Sequence, residues 1–255
     1  MTQTQPLKDQ LLPKRFLSAS SITIALIATL FVNAVFAFEL TAFSTATNAT
    51  PPAPWQAQGL PGRSSKPLTQ FDVTELDNKK VLRVRTDKSY GNLVHAWQGN
   101  VSTISFNWRL DTPLLDANLR FKNTDDTALK VCVSFDMPIE KVPYADRAKL
   151  KVAQFLSHDH LPTATICYVW AHIEPVGADF DNPFTGRVHY IVLNSGETPL
   201  KTWQSHQRNI SADFLKAYGD ESKTVPTVIA ISVGADSDNT QASSLGYVSD
   251  ITLKP

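Results

Sequence analysis

The chain reads as an all-β protein, a two-sheet antiparallel β-sandwich of jelly-roll type with one or two short helical excursions. Three observations predict this. Apolar and polar residues alternate with period two in segment after segment, the pattern of half-buried strands. Turn-forming clusters separate the segments: Asp87-Lys-Ser-Tyr-Gly91, Asn123-Thr-Asp-Asp126, Asp181-Asn-Pro183 and Asn194-Ser-Gly196. The strands follow one another at short spacing, which suits a sandwich or closed barrel.

In chain order, Lys80-Val-Leu82-Arg83-Val84-Arg85 sends Leu82 and Val84 to one face and the arginines to the other. Thr103–Leu110 and Leu129–Asp136 repeat the alternation, and further strands are expected at Ala164–Ala171, Arg187–Asn194, Lys201–Ile210, Thr227–Asp236 and Tyr247–Leu253. Two segments break it. Tyr144–Leu156 places Leu150, Ala153, Phe155 and Leu156 at helical spacing after Pro143. Ser211–Tyr218 opens on a Ser at the cap position and stops at Gly219, predicting a short helix.

The 255 residues do not all belong to this sandwich. Lys14-Arg15 precede the apolar run Ile22–Phe38, and Val35-Phe36-Ala37 offers small residues where a signal peptidase cuts. Residues 1–37 are therefore read as a secretory signal, with an uncleaved N-terminal anchor as the alternative. Residues 38–54 are rich in Thr, Ala and Pro, and are expected to be a disordered leader. Residues 55–255 are long enough for a single domain with one core. The expected location is periplasmic or secreted.

Charge excludes one class of partner. With 24 basic and 24 acidic residues the net charge is zero. A nucleic acid is then not the expected partner, because there is no basic surplus to release counterions from its backbone. No polybasic patch points to a membrane beyond the signal segment or anchor. Cys132 and Cys167 fall in separate strands. An oxidising compartment permits a bridge, and two buried thiols are the alternative.

Four constellations have the residue types that carry binding or chemistry. Asp125 and Asp126 enter a strand whose first outward side chain is Lys130. The pair is suited to sugar hydroxyls or a cation, and equally to a turn with Lys130 paired to Asp126. Tyr168, Trp170 and His172 share one strand face, as a stacking platform for a sugar ring or as core. Arg208 precedes a helix bearing Asp213 near its start. A fork between them would pin the helix to the sheet, and an acidic ligand is the alternative target of the arginine. Asp236, Asp238 and Asn239, with Asp250 on the last strand, offer oxygens of the kind calcium takes. Calcium is accordingly the only cofactor the sequence suggests. His158-Asp159-His160 reads as a polar loop rather than a metal site. The hydrolase elbow, phosphate loop, zinc-helix and dinucleotide motifs are all missing from the sequence.

Taken in order, Trp55, Leu60-Pro61-Gly62, Val81-Leu82-Arg83-Val84, Phe106-Asn-Trp108-Arg109, Asp125-Asp126-Thr-Ala-Leu-Lys130, Tyr168-Val-Trp170-Ala171, Arg208-Asn-Ile-Ser-Ala-Asp213-Phe214, Gly219 and Asp236-Ser-Asp238-Asn239-Thr240 resemble a family of exported bacterial proteins known as domain of unknown function 3047. Lys130 stands where the resemblance leads one to expect an arginine, and a lysine cannot make the two-pronged contact. The family implies no activity, so it assigns no residue a role. More loosely, Gly246-Tyr-Val-Ser-Asp250-Ile is similar to the ending of jelly-roll carbohydrate-binding modules, whose last strand helps hold a structural calcium.

Export, neutrality and aromatics interleaved with acids lead to one expectation: a non-catalytic binder of a polysaccharide, an oligosaccharide or another polar envelope ligand. Asp125, Asp126, Lys130, Tyr168, Trp170, His172 and Arg208 are its candidate contacts. Two alternatives stay open. One is a glycan-active hydrolase or lyase working through Asp125, Asp126 and His172. The other is an envelope structural or assembly protein pairing through a sheet edge.

Overall fold

The computed structural model describes residues 39–60, 65–157, 161–196 and 199–255. The signal or anchor segment, 1–37, and the His158-Asp159-His160 loop lie outside the described residues. Among the described residues no helix is long and apolar enough to cross a membrane.

The strands are β1 (Gln56–Gln58), β2 (Gln70–Leu76), β3 (Lys79–Asp87), β4 (Tyr90–Gly99), β5 (Thr103–Thr112), β6 (Leu129–Asp136), β7 (Ala164–Ala171), β8 (Asp179–Asn182), β9 (Thr185–Ser195), β10 (Gln204–Asn209), β11 (Thr227–Asp236), β12 (Ser243–Val248) and β13 (Thr252–Lys254). Helix α1 (Tyr144–Ser157) lies between β6 and β7, and α2 (Ile210–Tyr218) between β10 and β11. One sheet has seven strands in the order β1-β4-β11-β6-β7-β9-β8. The other runs β10-β5-β12-β3-β2, with β13 added against β5. The two-sheet sandwich of the sequence reading is therefore the observed architecture.

Alternation sets the core. Leu129, Val131, Val133 and Phe135 of β6 face the second sheet, as do Ile166, Tyr168 and Trp170 of β7 and Ile231 and Val233 of β11. They meet Leu82 and Val84 of β3 and Ile104, Phe106, Trp108 and Leu110 of β5. A smaller apolar cluster covers one end of the outer face: Cys132, Cys167, Val169, Ala171, Tyr190 and Val192 lie under Leu119.

Several details differ from the sequence reading. One strand pair, β7–β9, is parallel. After β7 the chain crosses to the sheet edge as β8, and β9 returns between the two, antiparallel to β8. The hairpin β2–β3 was not expected as a unit. It turns on Asp77 and Asn78, both at positive φ, the conformation that matches the twist of a two-residue hairpin. The cap of α2 is Asn209, whose side chain accepts from the Ala212 amide, rather than Ser211. The expected last strand is two pieces, β12 and β13, separated by Ser249–Ile251.

The leader also needs correction. Residues 39–54 are packed on the sandwich, not loose. Phe43 is fully buried against Trp55, and Ala46 is buried beside it. The Trp55 indole donates to the Thr41 carbonyl, and Val73 donates its amide to Ala49. One bulky side chain in a deep slot outweighs a low average hydrophobicity, since burying a Phe contributes about 1.5–3 kcal/mol.

Candidate functional site

The outer face of the seven-stranded sheet forms the floor of a cleft of about 1740 Å³. Its floor is built in rows by strand register. Val94, Ser232, Cys132, Cys167 and Tyr190 lie side by side across five strands. The next row holds Ala96, Ala230, Ser134, Thr165 and Val188. Small and short polar side chains alternate here with the bulky core residues, and that difference in size leaves the trough open. Trp97, Leu60 and Phe184 also line it, and Asp146, Lys149 and Arg187 line its far end.

The floor carries a covalent tie. Cys132 and Cys167, directly paired across β6 and β7, form a disulfide. The bridge alternative of the sequence reading is the one realised.

The near end of the cleft holds a buried charge cluster. Lys130 enters it from β6, with Asn92 and Gly234 in the same row. A Cβ on Gly234 would run into the Asn92 side chain and the Lys130 stem, so glycine makes the room for both. The Lys130 ammonium is 3.3 Å from Asp236 Oδ1 and lies over the Tyr90 ring, 5.1 Å from its centroid. Burial pushes the Lys130 pKa down, but Asp236, Tyr90 and Asp125 outweigh it, and the net shift is upward. Asp236 also accepts from the Thr127 amide and hydroxyl. The expected Lys130–Asp126 pair is thus replaced by Lys130–Asp236, because Asp236 sits at the end of the strand next to β6.

Asp125 and Asp126 differ in role although they are adjacent. Asp126, 1 % exposed, accepts from the Asn239 amide at 3.1 Å and from the Thr240 amide and hydroxyl, both at 2.6 Å. It clamps the loop between β11 and β12. Burial, partly offset by those hydrogen bonds, raises its pKa. Asp125 lines the cleft and is 4 % exposed. Its Oδ2 accepts from Asn182 at 2.6 Å and faces the Tyr190 hydroxyl at 3.5 Å. Its Oδ1 is buried without a hydrogen-bond partner. Burial, and then the nearby Asp236 charge, push the Asp125 pKa up to about 7.

The expected calcium ligands do not assemble as a set. Asp250 is held elsewhere, accepting from the Ser44 amide at 3.0 Å and from its hydroxyl at 2.6 Å, so it secures the packed N-terminal segment. The Asn239 side chain donates to the Asp125 carbonyl rather than offering its oxygen inward. The carboxylates that do converge are Asp126, Asp236 and Asp238, with oxygens within 4.8 Å of one another. Lys130 serves Asp236, Lys66 lies 2.9 Å from Asp238, and backbone donors serve Asp126. The protein's own cations and amides therefore already meet this cluster.

The aromatic platform is corrected outright. Tyr168 and Trp170 point between the sheets, 0 % and 1 % exposed, where Trp170 packs on Trp108 at 5.8 Å and Tyr168 lies near Phe106. Turning them outward would forfeit about 1.5–3 kcal/mol each. The Tyr168 hydroxyl donates to Asp213 at 2.8 Å, and Arg208 forks onto the same carboxylate at 3.1 and 2.6 Å. The fork pins α2 to the sheet, and Arg208 is not aimed at a ligand. His172 lies beyond the strand end, near Leu110 and Trp170 and away from the large cleft. The acid–base group Asp125, Asp126 and His172 therefore does not converge in the cleft. Of the candidate residues, the structure brings together Asp125, Asp126, Lys130, Asp236, Asp238 and Asn239. It adds Tyr90, Asn182, Tyr190 and Lys66, which the sequence did not single out, since nothing local marks a strand tyrosine or a turn asparagine as facing a cleft.

A model of a family described as "Protein of unknown function (DUF3047)" matches residues 53–252. No curated protein matches the chain. Among solved structures, the chain is similar to endoglucanase 3 of Trichoderma harzianum, from family GH12. The identity is 13 % and the TM-score 0.42, over 80 % of this chain and 99 % of that one. It is also similar to the xyloglucanase domain of NopAA, a type three effector from Sinorhizobium fredii, solved in complex with cellobiose. There the identity is 11 % and the TM-score 0.41, over 79 % and 98 % of the two chains.

Proposed function

From a chain that belongs to the DUF3047 family, and so inherits no known activity, we propose an exported protein that binds an oligosaccharide or a similarly extended, hydroxyl-rich ligand in the cleft over the seven-stranded sheet. The cleft itself carries this reading. At about 1740 Å³ it exceeds the roughly 300–1,000 Å³ of a site for one compact small molecule, and it runs across five strands. Its floor of Ser, Thr, Asn and small apolar side chains offers hydrogen bonds and flat contact without a dominant charge. The Cys132–Cys167 bridge supports export, since such bonds persist in oxidising compartments.

One observation favours a second reading, catalysis on the bound glycan: Asp125 is a buried carboxyl that titrates near neutrality at the end of a cleft. A hydrolase or lyase also needs a partner group, and Asp126 is fully engaged in holding its loop.

Calorimetric titration with plant and bacterial oligosaccharides tests the binding reading. Ser232→Trp would fill the trough at its floor. The expected result is micromolar binding to the native chain and loss of at least about tenfold in the variant, with its melting temperature retained. Binding unaffected by the blocked floor would overturn the assignment. Turnover of a bound polymer that Asp125→Asn abolishes would move the protein to the second reading.

A further inference from the structure

Among the described residues, the near end of the cleft holds more carboxyl groups than cations. Four carboxyl groups among the described residues gather there, Asp125, Asp126, Asp236 and Asp238, against two ammonium groups. Lys130 pairs with Asp236 and Lys66 with Asp238. Asp126 is met by two amides and a hydroxyl. Among the described residues, Asp125 has neither a cation of its own nor a full set of donors. The groups facing it are Asn182 from β8, Tyr190 from β9, Asp236 from β11 and Lys130 from β6, with Tyr90 of β4 beyond. Among the described residues only Asn182 and Tyr190 reach it, both at Oδ2, and Oδ1 is buried without a partner while Asp125 lines the cavity. A buried polar atom without a partner is costly, and native structures have few of them.

We propose that this end of the cleft takes a positively charged group of the bound ligand, the ammonium of an amino-sugar residue, with the cleft-lining Asp125 carboxyl as its acceptor. The inference rests on the cleft-binding reading and names the class of ligand within it. An acidic sugar is disfavoured at the same place, because it would add charge of the sign already in excess. A neutral hydroxyl can bond to the Asp125 carboxyl but leaves the charge unbalanced. An ammonium supplies both the donor and the charge.

The proposal has a proton signature. In the free protein Asp125 holds its proton up to about pH 7. An ammonium beside it favours the carboxylate, so below that pH binding must expel the proton to the buffer.

The test is calorimetric titration of the full chain at roughly one pH unit below 7, in two buffers of different protonation enthalpy. Glucosamine, N-acetylglucosamine and glucose oligomers of equal length and linkage are compared, with calcium alone as a further arm. The expected result is roughly tenfold tighter binding of the glucosamine oligomer than of the other two, with release of about one proton. In Asp125→Asn both the preference and the proton release disappear. The difference between the two proteins cancels any protonation change of the ligand itself. Equal binding of all three oligomers without proton release would overturn the inference and leave the cleft reading intact. Binding of none would overturn both. Calcium binding that releases the same proton would make a metal ion the occupant and overturn the ammonium assignment.

Discussion

Two buried acid–cation clusters sit on opposite faces of the same sheet, and they are built differently. On the inner face, Asp213 receives the Tyr168 hydroxyl and two prongs of Arg208. Its oxygens are met, and the cluster fastens α2 against the sandwich. On the outer face, Lys130 and Asp236 pair, but Asp125 beside them keeps one oxygen without a donor. A closed cluster of this kind holds the fold together. An open one, at the end of a cleft, is where the proposed ligand would bind. Proximity of charges in the sequence does not separate the two cases; the completeness of the hydrogen bonding does.

The largest expected effect breaks the closed cluster. Asp213→Ala leaves Arg208 and the Tyr168 hydroxyl without their acceptor. Stability falls by about 3–4 kcal/mol in urea denaturation, the low side of the range for a broken buried pair because Arg208 is about a third exposed. Loss under about 1 kcal/mol would contradict the fastening role.

The open cluster should show the opposite sign. The Asp125 pKa is raised from 3.8 to about 7, so the native state holds a proton that the unfolded chain has lost in that window. Stability is therefore highest at the acid end of the window and falls as pH rises through it, by on the order of 4 kcal/mol at one pKa unit per about 1.4 kcal/mol. The raised pKa of Asp126 adds to the same trend. Asp125→Asn removes most of the fall and is more stable than the parent at pH 8. Denaturation curves across the pH range check this, and parallel pH profiles for the two proteins would contradict it.

Gly234→Ala sharpens the comparison from the backbone side. The added methyl meets Asn92 and the Lys130 stem, and overpacking of this kind costs about 1–3 kcal/mol. It should also displace Lys130 and change the pH profile of the outer cluster, leaving the inner one alone. The smallest effect is expected at Asp250→Ala, which frees Ser44. A loss of about 1 kcal/mol, with faster amide exchange over residues 42–46, would confirm that this residue secures the N-terminal segment.

Period-two alternation made most strands and the sandwich legible, because strands half-buried on one face must alternate. It was blind to β4, where Gly91, Val94 and Ala96 blur the contrast between faces. It also grouped the right residues onto one face without saying which face is core. That is why platform and core both stay open for Tyr168 and Trp170 in the sequence; the core alternative is the one realised, and the cleft lies behind the smaller residues Cys167 and Thr165. The Arg208–Asp213 fork was legible, since five residues separate a cation and an acid at a strand–helix junction. The Asp125 cluster was only half legible. Its members come from β4, β6, β8, β9, β11 and the loop before β6, and register alone brings them together.

The most direct measurement is an NMR titration of the Asp125 carboxyl, free and with a saturating glucosamine oligomer. The expected midpoint is near 7 in the free protein and falls when the oligomer binds. A midpoint in the ordinary carboxylate range, unmoved by the oligomer, would contradict it.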